Sequence, residues 1–140
     1  MALSEKQENE ILTLFENYSE AYSKKDKKAL KEMVSPGISG FGSGPDEIFL
    51  DRDDLMTGIA RDFSQAGSVV IEFPDIWIQG EGRVAWITGL CIFVARVENE
   101  RVVMSGRLTA VVRNTGRRWI FEQLHFSVPN VQQEPGQSFA

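Results

Sequence analysis

Apolar residues recur every three or four positions in the first quarter of the chain and every second position in its latter half. The change of period separates helices from strands. Ile11, Phe15, Tyr18 and Tyr22 form one helical stripe, flanked by Leu12, Leu14 and Ser19. The stripe predicts a helix over about 4–23, opened by Ser4 with Gln7 three residues on as a capping box. Asp26 can cap a second short helix through Met33, which "SPG" (35–37) stops. "ISGFGSG" (38–44) reads as a short, glycine-interrupted strand, and Asp51 or Asp53 as the cap of a third helix over about 53–65 carrying Leu55, Ile59 and Phe63 inward. From Ser68 the alternation predicts four strands, "SVVIEFPDIWIQ", "RVAWITGLCIFVARV", "RVVMSGRLTAVVR" and "RRWIFEQLHFSV", separated by "GEG", "ENER" and "NTGR". Three helices before a long antiparallel meander make an α+β fold. The helical stripes need a partner, so they cover one face of the sheet, and a curved sheet closed on its concave side leaves a cone with a pocket. One domain spans 1–129; the polar, aperiodic stretch 130–140 reads as a poorly ordered tail.

Composition narrows the function classes without naming one. A net charge of −5 opposes general binding to nucleic acid, and the one basic cluster, "KKDKK" (24–28), follows a run of acidic residues on the same segment. The single cysteine, Cys91, excludes an intrachain disulfide and suits a reducing compartment; in "LCIFVA" it reads as a core thiol. "MALSEKQENE" lacks the pattern of a signal peptide and no stretch reaches transmembrane length, so a cytoplasmic protein without a membrane partner is expected. One histidine and one cysteine cannot assemble the usual zinc set, and "DRDD" (51–54) lacks the calcium-loop spacing. "GEGRVA" (80–85) falls between two strands rather than opening a helix, and "GFGSG" (40–44) lacks the residues that complete a phosphate loop. Neither a metal nor a cofactor is implied.

The order of elements resembles the nuclear transport factor 2-like superfamily, and its SnoaL-like branch in particular. The residues that carry the likeness are "GSGPDE" (42–47), "RDFSQ" (61–65), "VAW" (84–86), "GRLTAVVR" (106–113) and Trp119 with "HFSVP" (125–129). The last two are also similar to the terminal hairpin of the calcium/calmodulin-dependent kinase II association domain. The resemblance implies a cone-shaped fold, commonly a homodimer joined through the convex sheet faces. It implies no reaction, because the superfamily holds isomerases, cyclases, dehydratases and non-enzymatic adaptors.

Register assigns the candidate residues to faces. If "NTGR" (114–117) closes the last hairpin as a two-residue turn, Asn114 pairs with Arg117, Arg107 with Leu124, and His125 with Gly106. Arg107 and His125 then point to opposite faces unless a bulge intervenes. The kinase association domains carry a pocket arginine on the strand that corresponds to "GRLTAVV" (106–112). By resemblance, the Arg107/Thr109 face lines the cone, and carrying the register through "ENER" (98–101) adds Trp86, Thr88 and Leu90 to it. Cys91 and Phe93 face away. The expected ligand contacts are Tyr18, Tyr22, Trp86, Arg107 and Phe126, with Arg107 paired either to Glu122 or to an anionic ligand. The expected dimer interface is Phe93, Trp119, Phe121 and His125, where the imidazole is a structural, hydrogen-bonded group. The function these assignments favour is a homodimer binding a small apolar or aromatic molecule with a polar or anionic end. A cofactor-free isomerase, cyclase or dehydratase, with Glu47 or His125 as proton carrier, is the alternative, and an oligomerisation module without ligand a third. The sequence alone does not decide whether the protein is an enzyme.

Overall fold

The computed structural model describes residues 2–139. Helix α1 (Glu5–Ser23) starts where Ser4 Oγ accepts the Gln7 N–H at 3.2 Å and Gln7 Oε1 accepts the Ser4 N–H at 2.9 Å, a reciprocal capping box. Its stripe of Ile11, Leu14, Phe15, Tyr18 and Tyr22 is buried, and the Ser19 hydroxyl donates to the Ile71 carbonyl, fixing the helix to the sheet. Helix α2 (Lys27–Glu32) is capped by Asp26, and α3 (Arg52–Gln65) by Asp51, whose Oδ1 accepts the Asp54 N–H at 2.8 Å.

The strands are β1 (Val34–Phe41), β2 (Ile48–Phe49), β3 (Ser68–Glu81), β4 (Val84–Val97), β5 (Glu100–Asn114) and β6 (Trp119–Ser127). They form one sheet in the order β2-β1-β6-β5-β4-β3. The first strand is longer than the glycine-rich pattern suggests and takes in "SPG". It joins β6 in parallel, so the sheet is mixed rather than purely antiparallel. The Cα partners shift at three places: between Val34 and Ser39, between Glu72 and Asp75, and between Val111 and Val112. Bulges of this kind bend and twist a sheet, and here they curve it around the helices.

The buried face carries Ala85, Ile87 and Cys91 of β4, Leu108, Ala110 and Val112 of β5, and Phe121 and Leu124 of β6. The α1 stripe seals this core through Phe15, whose ring meets Phe73 and Phe121 edge-on at 5.1 and 5.2 Å. Burial pushes the Cys91 thiol up to about 11, as fits a thiol among apolar neighbours. Among the described residues no helix is long and apolar enough to cross a membrane. Residues 128–139 follow β6 as exposed turns.

Candidate functional site

Between the helices and the open end of the sheet lies a cavity of about 580 Å³. Its apolar walls include Tyr18 and Tyr22 of α1, Ile59 of α3, Phe93 of β4, Met104 of β5 and Phe126 of β6. Phe93 packs edge-on against Phe126 at 5.5 Å and against Tyr22 at 6.4 Å, so the aromatic wall is continuous from sheet to helix. Tyr18 and Tyr22 are one helical turn apart and stack at 6.3 Å.

The polar groups of the cavity come from α1, α3 and the 42–47 loop. The Tyr22 hydroxyl donates to Asp62 Oδ2 at 3.0 Å, joining α1 to α3. Lys25, in a left-handed conformation just beyond α1, donates Nζ to the carbonyls of Phe63 and Ala66 at 3.0 and 2.7 Å and holds the C-terminal end of α3. Burial raises the Asp62 carboxyl above its ordinary range, reinforced by the charge of Glu47 and opposed by the Tyr22 hydrogen bond and by Arg61. Burial, then the charge of Asp62, drives both phenols far above the usual tyrosine range, so they remain neutral donors. At the loop, Arg61 Nη1 meets Asp46 Oδ2 at 2.8 Å and Nη2 meets Glu47 Oε1 at 3.1 Å. The Gly44 N–H donates to the other Glu47 oxygen, and a Cβ at Gly42 would lie 2.5 Å from it, so the loop wraps tightly around this carboxylate. Among the described residues no cluster of three or more side chains could hold a metal ion.

A model of the SnoaL-like domain matches residues 11–131. The chain belongs to the SnoaL-like domain family. Its fold is shared by solved structures of low sequence identity. An NTF2-like protein of unknown function from Pseudomonas putida is 18% identical over 99% of both chains, with a TM-score of 0.80. A nuclear transport factor 2-like superfamily protein from Salmonella enterica is 16% identical over 96% of this chain and 98% of that one, at 0.82. A "Putative Scytalone Dehydratase" from Novosphingobium aromaticivorans is 13% identical over 88% and 84%, at 0.80. At such identities the likeness carries the fold alone. No curated protein sequence matches the chain.

Within this SnoaL-like cone, Tyr18, Tyr22 and Phe126 line the cavity, and so does Glu47, whose carboxylate is already engaged by Arg61 and the Gly44 N–H. Apart from His125, which keeps the outer face expected of it, the register puts the other candidates on the opposite side from the sequence-based expectation. The last turn holds four residues rather than two, so Asn114 pairs with Trp119, and an extra residue at Glu122 then shifts the ladder so that Arg107 pairs with Ser127 and Thr109 with His125. Arg107 and His125 therefore share a face, and it is the outer one: both are exposed, while Leu108, Leu124 and Phe126 point inward. Arg107 is not a pocket residue, and Glu122 pairs instead with Arg113 at 2.7 Å. Trp86 does share a face with Arg107, Thr88 and Leu90, but it stands outside, 46% exposed, donating to Gln79 at 3.2 Å. Phe93 is a cavity wall, and Trp119 and Phe121 are core, 4% and 1% exposed, so none of these three can join two copies through the sheet face. His125 lies beside Phe41, ring centroids 5.1 Å apart, and lines a smaller outer cleft with Ser127 and Val128. Asp62 was not among the expected site residues, although it stands seven residues after Leu55 and three after Ile59, on the buried flank of α3.

Proposed function

We propose that the protein binds a small, largely apolar or aromatic molecule inside the cone, and does so as a homodimer. The cavity supports the first part: about 580 Å³, walled by Tyr18, Tyr22, Phe93, Met104 and Phe126, it falls within the range of small-molecule sites. A cone acting only as an oligomerisation module would have its interior filled by side chains. The outer sheet face supports the second part. Trp77, Trp86, Leu90 and Val103 are 38–55% exposed there, an unusual concentration of large apolar side chains for a lone soluble domain. An anionic end to the ligand has no support from Arg107, which stands on the opposite face.

Native mass spectrometry of protein purified from its own host tests both parts. The expected spectrum is a dimer carrying a non-covalent small-molecule adduct, lost when the protein is denatured. A monomer without adduct, across preparations, overturns the proposal.

The Tyr22–Asp62 hydrogen bond favours a second reading, that of a cofactor-free enzyme. A carboxyl raised by burial and oriented by a neutral phenol is suited to carry a proton between two atoms of a bound substrate. Asp62, rather than Glu47 or His125, is then the proton carrier. Once a ligand is identified, Asp62→Asn distinguishes the readings: an enzyme loses turnover while retaining substrate, and a binding protein has no turnover to lose.

A further inference from the structure

Asp46, Glu47, Asp54 and Asp62 line the cavity, and Arg61 is the one cationic side chain among them. That guanidinium is committed to Asp46 and Glu47 at 2.8 and 3.1 Å. Asp54 accepts the Leu50 N–H at 3.1 Å in the first turn of α3, where the helix dipole favours a carboxylate. Lys25, the lysine at the α1–α3 junction, is committed to the Phe63 and Ala66 carbonyls. Asp62 is left facing the cavity with one hydrogen bond, from Tyr22, and no salt-bridge partner among the described residues. A half-buried carboxylate without a cation is costly unless the site's occupant supplies one.

Tyr18 gives an independent indication. It is 4% exposed and lines the cavity, and its hydroxyl makes no hydrogen bond among the described residues. The hydroxyl is not sealed in the core but opens onto the cavity, so a ligand there can take it as a hydrogen-bond partner. Its ring stacks on that of Tyr22, whose hydroxyl reaches Asp62, so the unpaired phenol and the unpaired carboxylate belong to one wall. Phe93 continues that wall edge-on from Tyr22, with Phe126 beyond it. Aromatic rings around a carboxylate attract an organic cation and disfavour an anion.

We propose that the ligand of this cavity has an apolar body ending in a protonated amine, with the ammonium donating to the Asp62 carboxylate and to the Tyr18 hydroxyl oxygen. The proposal rests on the cavity being a small-molecule site and adds the ligand's charge. It also sets a pH dependence. The groups that act on Asp62 are Tyr18 and Tyr22 from α1, Glu47 from the loop and Arg61 from its own helix. Tyr18, Tyr22 and Arg61 keep their protons well above neutrality. Protonation of Asp62, whose carboxyl is raised by burial, removes the ammonium's counter-charge, so amine binding weakens as pH falls.

Three probes of one shape test this: 1-naphthylmethylamine, 1-naphthalenemethanol and 1-naphthoate, titrated calorimetrically into the wild type and Asp62→Asn near neutral pH. A charge-assisted hydrogen bond predicts that the amine binds about tenfold tighter than the alcohol, with the naphthoate weakest. In Asp62→Asn the amine falls to the level of the alcohol, while unchanged alcohol binding shows that the variant's cavity is intact. Equal affinity for amine and alcohol in the wild type overturns the charge assignment and leaves the cavity as a ligand site. An amine preference that survives in Asp62→Asn also overturns it. Failure of all three probes to bind overturns the small-molecule reading itself.

Discussion

Phe121→Ala separates two accounts of the last strand. If Phe121 lay on the outer sheet face, truncation would weaken association of two copies and leave each copy's fold nearly intact. The ring is instead 1% exposed and packs edge-on against Phe15 at 5.2 Å and Tyr18 at 5.5 Å, two residues of the α1 stripe. Emptying such a site removes the transfer energy of the ring and leaves a hole that surrounding side chains fill only in part, at about 3–5 kcal/mol. The lost edge-to-face contacts, worth roughly 0.5–1.5 kcal/mol each, place the expectation in the upper half of that range. For a chain of 140 residues each kcal/mol lowers the melting midpoint by about 2–4 °C, so a fall of roughly 8–20 °C is expected. Thermal melts followed by circular dichroism at several protein concentrations read this directly. The fall should persist when concentration is varied, because the damage lies inside one copy. A drop of less than about 3 °C accompanied by weaker self-association would refute the core placement.

Three further outcomes follow from the same geometry. Asp62 has a raised carboxyl in the folded state, so between the unfolded value near 4 and its higher folded value the native protein binds more protons than the unfolded chain; stability should fall as pH rises through that window. In denaturant titrations from pH 4 to 8 Asp62→Asn should flatten this slope and be more stable at neutral pH, and an unchanged slope would locate it elsewhere. Trp86→Arg should convert the expected dimer to monomer in sedimentation without unfolding it, since Trp86 is 46% exposed on the outer face; a dimer that persists points to a different joint. A Cβ at Gly40, where φ is +155°, would come within 1.6 Å of the Leu124 carbonyl oxygen, so Gly40→Ala should separate β1 from β6 and cost more than about 3 kcal/mol, and a wild-type melting curve would contradict that pairing.

The elements were legible where their signal is local. Ser4 and Gln7 mark the start of α1 because a capping box depends only on residues three apart, and the burial of Ile11, Phe15, Tyr18 and Tyr22 follows from the helical period. The alternation from Ser68 onward defines β3 to β6 for the same reason. The faces of β5 and β6 were not legible, because they depend on counts along the ladder. "NTGR" looks like a two-residue hairpin, yet Asn114 Oδ1 accepts the Gly116 N–H at 2.8 Å and Thr115 Oγ1 accepts from Arg117 and Arg118 at 3.3 Å. These side-chain turns stabilise a longer connection. The added residues alone would have preserved the parity of the pairing. The bulge at Glu122 then reversed it for every later residue, carrying His125 outward with Arg107 and Phe126 inward.

The position of the candidate site follows from what a curved sheet can present to its own concave side. The inward positions of its middle strands are Ile87, Cys91, Leu108, Ala110, Val112 and Leu124, none able to hold a charge, and the polar residues that alternate with them, Thr88, Arg107, Thr109 and His125, stand on the far face. Polar chemistry inside the cone must therefore come from elements outside that part of the sheet. Helix α1 contributes two phenols because its stripe places Tyr18 and Tyr22 one turn apart. Helix α3 contributes Asp62 because 55, 59 and 62 fall on one side of a 3.6-residue period. His125, the strand residue with the most recognisable chemistry, stands on the outer face and cannot supply it. Helical arithmetic applied to "DDLMTGIARDF" (53–63) selects Asp62, and the Tyr22 hydroxyl 3.0 Å from its carboxylate is the contact that makes it part of the cavity.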